Sequence, residues 1–211
     1  MPKITQQQPV YWQQACAELS SADPILQKLI AQFPNMFLSS RGDAFITLAR
    51  SIVGQQISVK AADSVWAKFC AEIPKITPQK VREKSTETLR SCGLSARKVD
   101  YIFDLAAAFI ENRLAQKNWQ NMSDQEIIDK LTTVRGIGVW SAQMFLMFYE
   151  NRPNILPIDD IGLQKAVAKL YLNGARPDKK TLQNIALKWQ PWQTVATWYL
   201  WRSLDPLVVA Y

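Results

Sequence analysis

Asp159 and Asp160 are the side chains with the clearest chemical potential. They follow Leu156-Pro-Ile158 and stand just before Ile161, where an apolar spacing of helical period begins. A carboxylate at a helix N-terminus accepts backbone N–H groups and lies at the positive end of the dipole, so its ionised form is favoured. Such a pair is ordinarily a solvated helix cap. It is also a fixed anion able to stabilise positive charge that develops in a substrate. Twenty residues before Asp160 stands Trp140, close behind a Gly136-Ile-Gly138 turn in the stretch Leu131-Thr-Thr-Val-Arg-Gly-Ile-Gly-Val-Trp-Ser-Ala-Gln-Met-Phe145. Two helical patterns meet at that turn. The glycines let the backbone enter a tight hairpin and remove side chains that would obstruct an approaching molecule. The helix that follows presents its N-terminal amides, a ready site for an anion such as phosphate. Taken alone, a Gly-x-Gly of this kind is an ordinary turn between two helices.

What is missing narrows the chemistry further. The chain has no histidine, which eliminates histidine general bases, Ser-His-Asp and Cys-His arrangements and the common zinc sites. Its three cysteines, Cys16, Cys70 and Cys92, are scattered and lack metal-ligand spacing. A disulfide framework is therefore not expected, and a four-cysteine iron–sulphur cluster is excluded. Catalysis would rest on a carboxylate, a lysine, a tyrosine, a bound ion or electrostatics.

The elements that must position these groups are helical almost throughout. Phe45, Leu48, Ala49, Ile52 and Val53 recur at the spacing of one helix face, and Val59 to Phe69 continues as a second helix. Thr77-Pro78 reads as an N-cap with proline at the first helical position, in a helix ended by Cys92-Gly93. Ser95 caps the next helix, through Tyr101, Leu105 and Phe109, and Ser123-Asp-Gln-Glu126 fits a capping box leading into the hairpin. Asp160 is placed to cap Ile161 to Leu172, with Asn173-Gly174 as a stop. A final helix carries Trp189, Trp192, Trp198 and Trp201. No alternating strand pattern or repeat is present. An all-α architecture is expected, with divisions near residues 40 and 175.

At 211 residues and 48% hydrophobic content the chain has ample material for a core. Its 25 Lys and Arg against 18 Asp and Glu give a net charge of +7, which favours a polyanionic partner. The N-terminus shows no signal peptide and no segment has the apolar length of a membrane span, so an intracellular protein is expected, bacterial cytoplasmic or eukaryotic nuclear.

Four stretches carry a resemblance. They are Arg41-Gly-Asp-Ala-Phe-Ile-Thr-Leu-Ala-Arg-Ser-Ile-Val-Gly-Gln-Gln-Ile-Ser-Val-Lys-Ala-Ala62, Leu89-Arg-Ser-Cys-Gly-Leu-Ser-Ala-Arg-Lys98, the hairpin with Asp160, and Trp189-Gln-Pro-Trp-Gln-Thr-Val-Ala-Thr-Trp-Tyr-Leu-Trp-Arg202. In this order they resemble the alkylpurine DNA glycosylases of the helix-hairpin-helix superfamily, in particular the 3-methyladenine DNA glycosylase II type. The likeness covers roughly residues 23 to 205. It implies a compact two-lobed helical domain without the N-terminal β-domain of some members, a central lobe of residues 40–175 and a terminal lobe of 1–39 plus 176–211.

The resemblance also implies roles. Asp160 matches the catalytic aspartate, whose anion stabilises the sugar cation formed when an N-glycosidic bond breaks and helps to orient or deprotonate water; Asp159 is assigned to capping and support. Trp140 and Trp201 match positions lining the base pocket, where a cationic alkylpurine gains a cation–π attraction of about 0.5–2 kcal/mol on an indole face. Met144, where some relatives have an aromatic residue, implies a softer pocket floor. Trp66, Trp189, Trp192 and Trp198 are assigned to packing. The Gln55-Gln56 turn with Ser58 is expected in the minor groove, Gln56 filling the space left by a flipped base. Gly136 and Gly138 would contact phosphate through backbone amides, joined by Arg135, which stands where proline is usual. Carbonyls of Thr132, Val134 and Gly136 match those that hold a monovalent cation bridging to the phosphate; no other cofactor is implied. The partner implied is duplex DNA bearing alkylated bases, and a monomer is expected.

Lyases of the superfamily carry a nucleophilic lysine where this chain has Trp140. An indole is no nucleophile, so base removal by water with an intact strand is expected. A glycosylase/lyase for oxidised bases is the second enzymatic reading, disfavoured by the absence of that lysine and of a cysteine cluster. A non-catalytic helix-hairpin-helix DNA-binding module is the third, and it leaves the set of Trp140, Asp160 and Trp201 unexplained.

Overall fold

Helix starts in this chain are written by short polar side chains. The computed structural model describes residues 8–39, 42–114 and 119–204, so Arg41 of the first stretch lies outside the described residues. Among them run twelve α-helices: α1 (Trp12–Ala22), α2 (Pro24–Gln32), α3 (Ala44–Gly54), α4 (Val59–Glu72), α5 (Pro78–Arg82), α6 (Thr86–Ser91), α7 (Ala96–Ile110), α8 (Asp124–Thr132), α9 (Val139–Phe148), α10 (Ile161–Tyr171), α11 (Lys179–Ala186) and α12 (Gln193–Arg202). No strand occurs among the described residues. Nine of the twelve are capped by an Asp, Ser or Thr side chain that accepts a first-turn N–H; α1, α9 and α12 are not. The capping box at Ser123 and Glu126 is present as expected.

The expected helix from Pro78 to Ser91 is two helices. The Ser85 side chain accepts from Thr88 N–H at 3.2 Å and starts α6 anew, a cap that outranks continuation of α5. The final helix is also shorter than expected. Trp189 lies in a 3₁₀ turn and Trp192 precedes α12, because Pro191 between them cannot supply a backbone N–H.

Contacts divide the chain into two units. The first holds residues 42–150 of the described chain. Its centre is α3, in which every residue from Phe45 to Val53 is buried, with α4, α7 and α9 packed around it and α8 packed on α9. Two buried polar side chains on α3 are partnered: the Thr47 hydroxyl donates to Asp43 O at 2.8 Å, while Arg50 pairs with Asp63 and lies over the Trp66 ring.

The second unit holds residues 8–39 and 151–204. Its centre is α12, buried along its whole length and packed by α1, α2 and α10. The division therefore falls after Glu150, not near 175. The physical reason is the segment after Glu150, which is bonded to α12: Thr194 N donates to Pro153 O at 3.0 Å, its hydroxyl donates to Arg152 O at 2.6 Å and accepts from Ile155 N at 3.0 Å. Asp23 joins three parts of the unit. Buried at the start of α2, it accepts from Ile25 N, Tyr171 Oη, Trp189 Nε1 and Lys188 Nζ. Desolvation would raise its pKa, yet these donors outweigh it and hold the carboxyl below its ordinary value. Trp189 and Trp198 are buried packing residues, as expected, and Trp192 stacks on Tyr11. No helix among the described residues is long and apolar enough to cross a membrane.

Candidate functional site

In the second unit, a turn at Leu156-Pro157 delivers Asp160 to the start of α10; Asp160 N donates to Pro157 O at 2.9 Å. Asp160 is buried, with 7% of the residue exposed. Oδ1 accepts from Leu163 N at 2.6 Å and from the Trp201 indole Nε1 at 2.8 Å. The first bond caps α10, and the second comes from α12, forty-one residues on in the sequence. Two N–H donors on one oxygen fix the orientation of the carboxylate. Trp201 is thereby more than an aromatic surface: it holds the carboxylate.

Gly162 makes that contact sterically feasible. A Cβ there would lie 3.0 Å from Asp160 Oδ1 and 3.1 and 3.2 Å from Trp201 Cδ1 and Nε1. Asp159 does not act in capping, contrary to expectation. Its side chain is 60% exposed and pairs with Lys179 at 2.7 Å. The register of the pair follows from geometry, since only the residue directly before the first helical turn can reach its N–H groups.

In the first unit the hairpin joins α8 to α9. Gly136 has φ +90°, and a Cβ there would collide with the Tyr101 ring. Gly138 is different: it has ordinary extended backbone, φ −96°, and a Cβ would meet nothing within 4 Å. The first glycine is required by the fold, while the second leaves an open approach to the N-terminus of α9, which no side chain caps. Trp140 lies half-buried in the first turn of α9, and Met144, one turn further along, is buried. Arg135 reaches sideways to Asp104 at 2.6 Å and lies over the Tyr101 ring. That pair is exposed, so it is weak enough to exchange for another anion.

The turn between α3 and α4 is tied to the hairpin. Gln55 Nε2 donates to Gly136 O at 2.8 Å and to Ser141 Oγ at 3.0 Å, so its amide supports the hairpin from within the protein. Gln56, exposed, adopts the left-handed conformation at φ +59°, and Ile57 beside it is exposed as well. Ser58 Oγ accepts from Ala61 N at 3.3 Å and caps α4. Lys98 in α7 donates from Nζ to Val53 O and Gln55 O, both at 2.7 Å, and burial draws its ammonium pKa down.

Of the three carbonyls expected to hold a cation, Gly136 O already accepts from Gln55 and Val134 O from Ile137 N at 3.0 Å. Each carbonyl has two lone pairs, so these bonds leave an acceptor position on each.

Sequence reasoning missed Gly162, Lys98 and the supporting part of Gln55. Gly162 carries a readable signal, being a poor helix former inside an otherwise regular helix start. Lys98 stands in a quoted motif, but its carbonyl partners lie more than forty residues away.

Residues 49–191 match the family described as HhH-GPD superfamily base excision DNA repair protein. DNA-3-methyladenine glycosylase 1 of Schizosaccharomyces pombe is 31% identical over 185 residues, covering 84% of this chain and 80% of that protein. The putative DNA-3-methyladenine glycosylase YfjP of Bacillus subtilis is 35% identical over 143 residues; that is 68% of this chain, which spans about half (47%) of that protein. Among solved structures, the Schizosaccharomyces pombe 3-methyladenine DNA glycosylase Mag1 in complex with abasic DNA superposes with a TM-score of 0.82 at 29% identity, over 94% of this chain and 99% of that one.

Proposed function

The chain belongs to the HhH-GPD superfamily of base excision DNA repair proteins, and we infer from this and from Asp160 that it is a monofunctional DNA glycosylase. It hydrolyses the N-glycosidic bond of alkylated purines in duplex DNA, of the 3-methyladenine and 7-methylguanine type. The observation that carries the reading is the buried Asp160 carboxylate, clamped by Leu163 N–H and the Trp201 indole.

An alkylated purine already bears positive charge and leaves readily, so no strong general acid is needed, consistent with a chain that has no histidine. What the departing base leaves behind is a cationic sugar. Asp160 stabilises that charge electrostatically, and the donors on Oδ1 fix the anion before the reaction begins, which avoids reorganisation in the transition state. The same carboxylate orients the water that completes hydrolysis, adding its oxygen to the sugar carbon as the base departs with the bond electrons.

The hairpin anchors the DNA. Amides at the uncapped start of α9 and the open approach at Gly138 suit a phosphate. Carbonyls of Thr132, Val134 and Gly136 would hold a monovalent cation, which supplies positive charge against that phosphate. Gln56, exposed at a left-handed turn, fills the vacated stack when the damaged nucleotide is flipped out. The partner is duplex DNA, and the protein acts as a monomer.

Trp140 supports hydrolysis over lyase chemistry. A lyase forms an imine between an enzyme amine and the sugar, and an indole supplies no amine. DNA treated with a methylating agent should yield free 3-methyladenine and 7-methylguanine on incubation with the protein, the strand remaining whole until alkali is added. Borohydride should trap no protein–DNA adduct. Efficient trapping would overturn the monofunctional reading, and release of no base would overturn the glycosylase reading itself.

A further inference from the structure

Lys98 and the Gln55 backbone and side chain form an uninterrupted set of bonds within the first unit. Lys98 Nζ holds Val53 O and Gln55 O, both at 2.7 Å, and Gln55 Nε2 holds Gly136 O at 2.8 Å and Ser141 Oγ at 3.0 Å. Val53 is in the last turn of α3, Gly136 is in the hairpin, and Ser141 is in the first turn of α9. Gln56 follows directly, in a left-handed conformation that a non-glycine residue adopts only where its surroundings enforce it.

From this we propose that Lys98 is a positioning residue for base flipping: through Gln55 it locks the Gln56 turn to the hairpin, so that phosphate anchor and wedge form one preorganised body. The proposal rests on the glycosylase reading for its catalytic consequence, but the lock is a property of the free protein.

The lock acts differently on anchor and wedge. Backbone amides of the hairpin bind phosphate whether or not a base is flipped. Gln56 gains contacts only once the base has left the stack. A turn free to sample other conformations would have to be ordered at that moment, and the ordering entropy would be charged against flipping alone. The Lys98 ammonium is committed to two carbonyls, and a charged donor binding the last carbonyls of a helix is a strong fixing contact. Removing Lys98 should therefore leave the anchor and weaken the wedge.

A purely structural alternative exists, in which Lys98 only caps the C-terminus of α3. The two are separated by what the variants Lys98→Met and Lys98→Arg do to binding and to excision. Methionine keeps the length of the stem and removes the donors; arginine restores charge and two parallel N–H groups.

The first measurement is amide hydrogen exchange over residues 54–58 in the free protein. Exchange there should speed up in Lys98→Met and return toward the wild-type rate in Lys98→Arg. The second uses a duplex with a single 7-methylguanine under single-turnover conditions, alongside the Kd for the undamaged duplex. Lys98→Met should release base about tenfold more slowly at saturating protein, the loss expected for charge-assisted bonds felt in the flipped state only. Its Kd for undamaged duplex should stay within about twofold, since Lys98 is not one of the phosphate contacts that set that affinity. Lys98→Arg should recover most of the rate. An unchanged excision rate in Lys98→Met overturns the proposal, and so does a fall in rate matched by an equal loss of undamaged-DNA binding. Should the wild-type protein release no base, the glycosylase reading fails, and the lock stands or falls on the exchange data.

Discussion

At the scale of single residues, the chemistry assigned to this chain depends on how one carboxylate is held. Asp160 Oδ1 takes two N–H donors, one from its own helix and one from Trp201. Gly162 is the residue that lets these three groups meet, because any Cβ would press on both Asp160 and Trp201. Gly162→Ala should then reduce base release by about tenfold by displacing the carboxylate from its productive orientation, a sensitivity typical of reacting groups moved by a few tenths of an ångström. Binding of undamaged duplex should be unaffected, as the hairpin belongs to other residues. Equal rates for Gly162→Ala and wild type, measured at saturating protein, would sink this account of the clamp. Asp160 itself was legible in the sequence, since a carboxylate before a helical pattern is a local signal. Its bond to Trp201 was not, because helical periodicity carries no information about which side chains meet forty-one residues apart.

At the scale of elements, most of the fold was legible because helix starts are local chemistry. Ser95, Ser123, Asp160 and Thr77 all cap as the sequence suggests. Structure and pattern part where one local signal overrides another: Ser85 restarts a helix within an apparently continuous pattern, and Pro191 cuts the last one short. The two hairpin glycines looked alike in sequence and differ in structure. Gly136→Ala must accept φ +90° and a collision with Tyr101, so it should destabilise the protein by about 2 kcal/mol or more. Gly138→Ala meets open space at an ordinary φ and should change stability by less than about 1 kcal/mol, yet its methyl group would stand in the phosphate approach. Denaturant melts and duplex-binding titrations of both variants distinguish these effects. Intact DNA affinity in a stably folded Gly138→Ala would mean that the anchor lies elsewhere.

At the scale of the whole molecule, a net charge of +7 supplies a sequence-independent attraction to DNA. Binding of undamaged duplex should weaken steeply as salt rises, because neutralised phosphates release counterions. A salt-insensitive Kd would show that phosphate contacts are not what anchors the protein. The sequence pattern puts a division near residue 175 while the units part after Glu150, since composition does not reveal that Arg152, Pro153 and Ile155 are bonded to Thr194. The charge and the all-helical class, by contrast, follow directly from residue counts and spacing.

Whether the Asp160 carboxylate drives base release is read from single-turnover excision on a duplex carrying one 7-methylguanine. Wild type, Asp159→Asn and Asp160→Asn are compared, with thermal melts run alongside. Asparagine at 160 keeps an oxygen to accept from Leu163 N and Trp201 Nε1, so Asp160→Asn should fold normally while its rate falls about a hundredfold or more. Asp159→Asn, which loses only an exposed pair with Lys179, should excise at the wild-type rate. A well-folded Asp160→Asn with near-normal excision would show that another group stabilises the sugar cation.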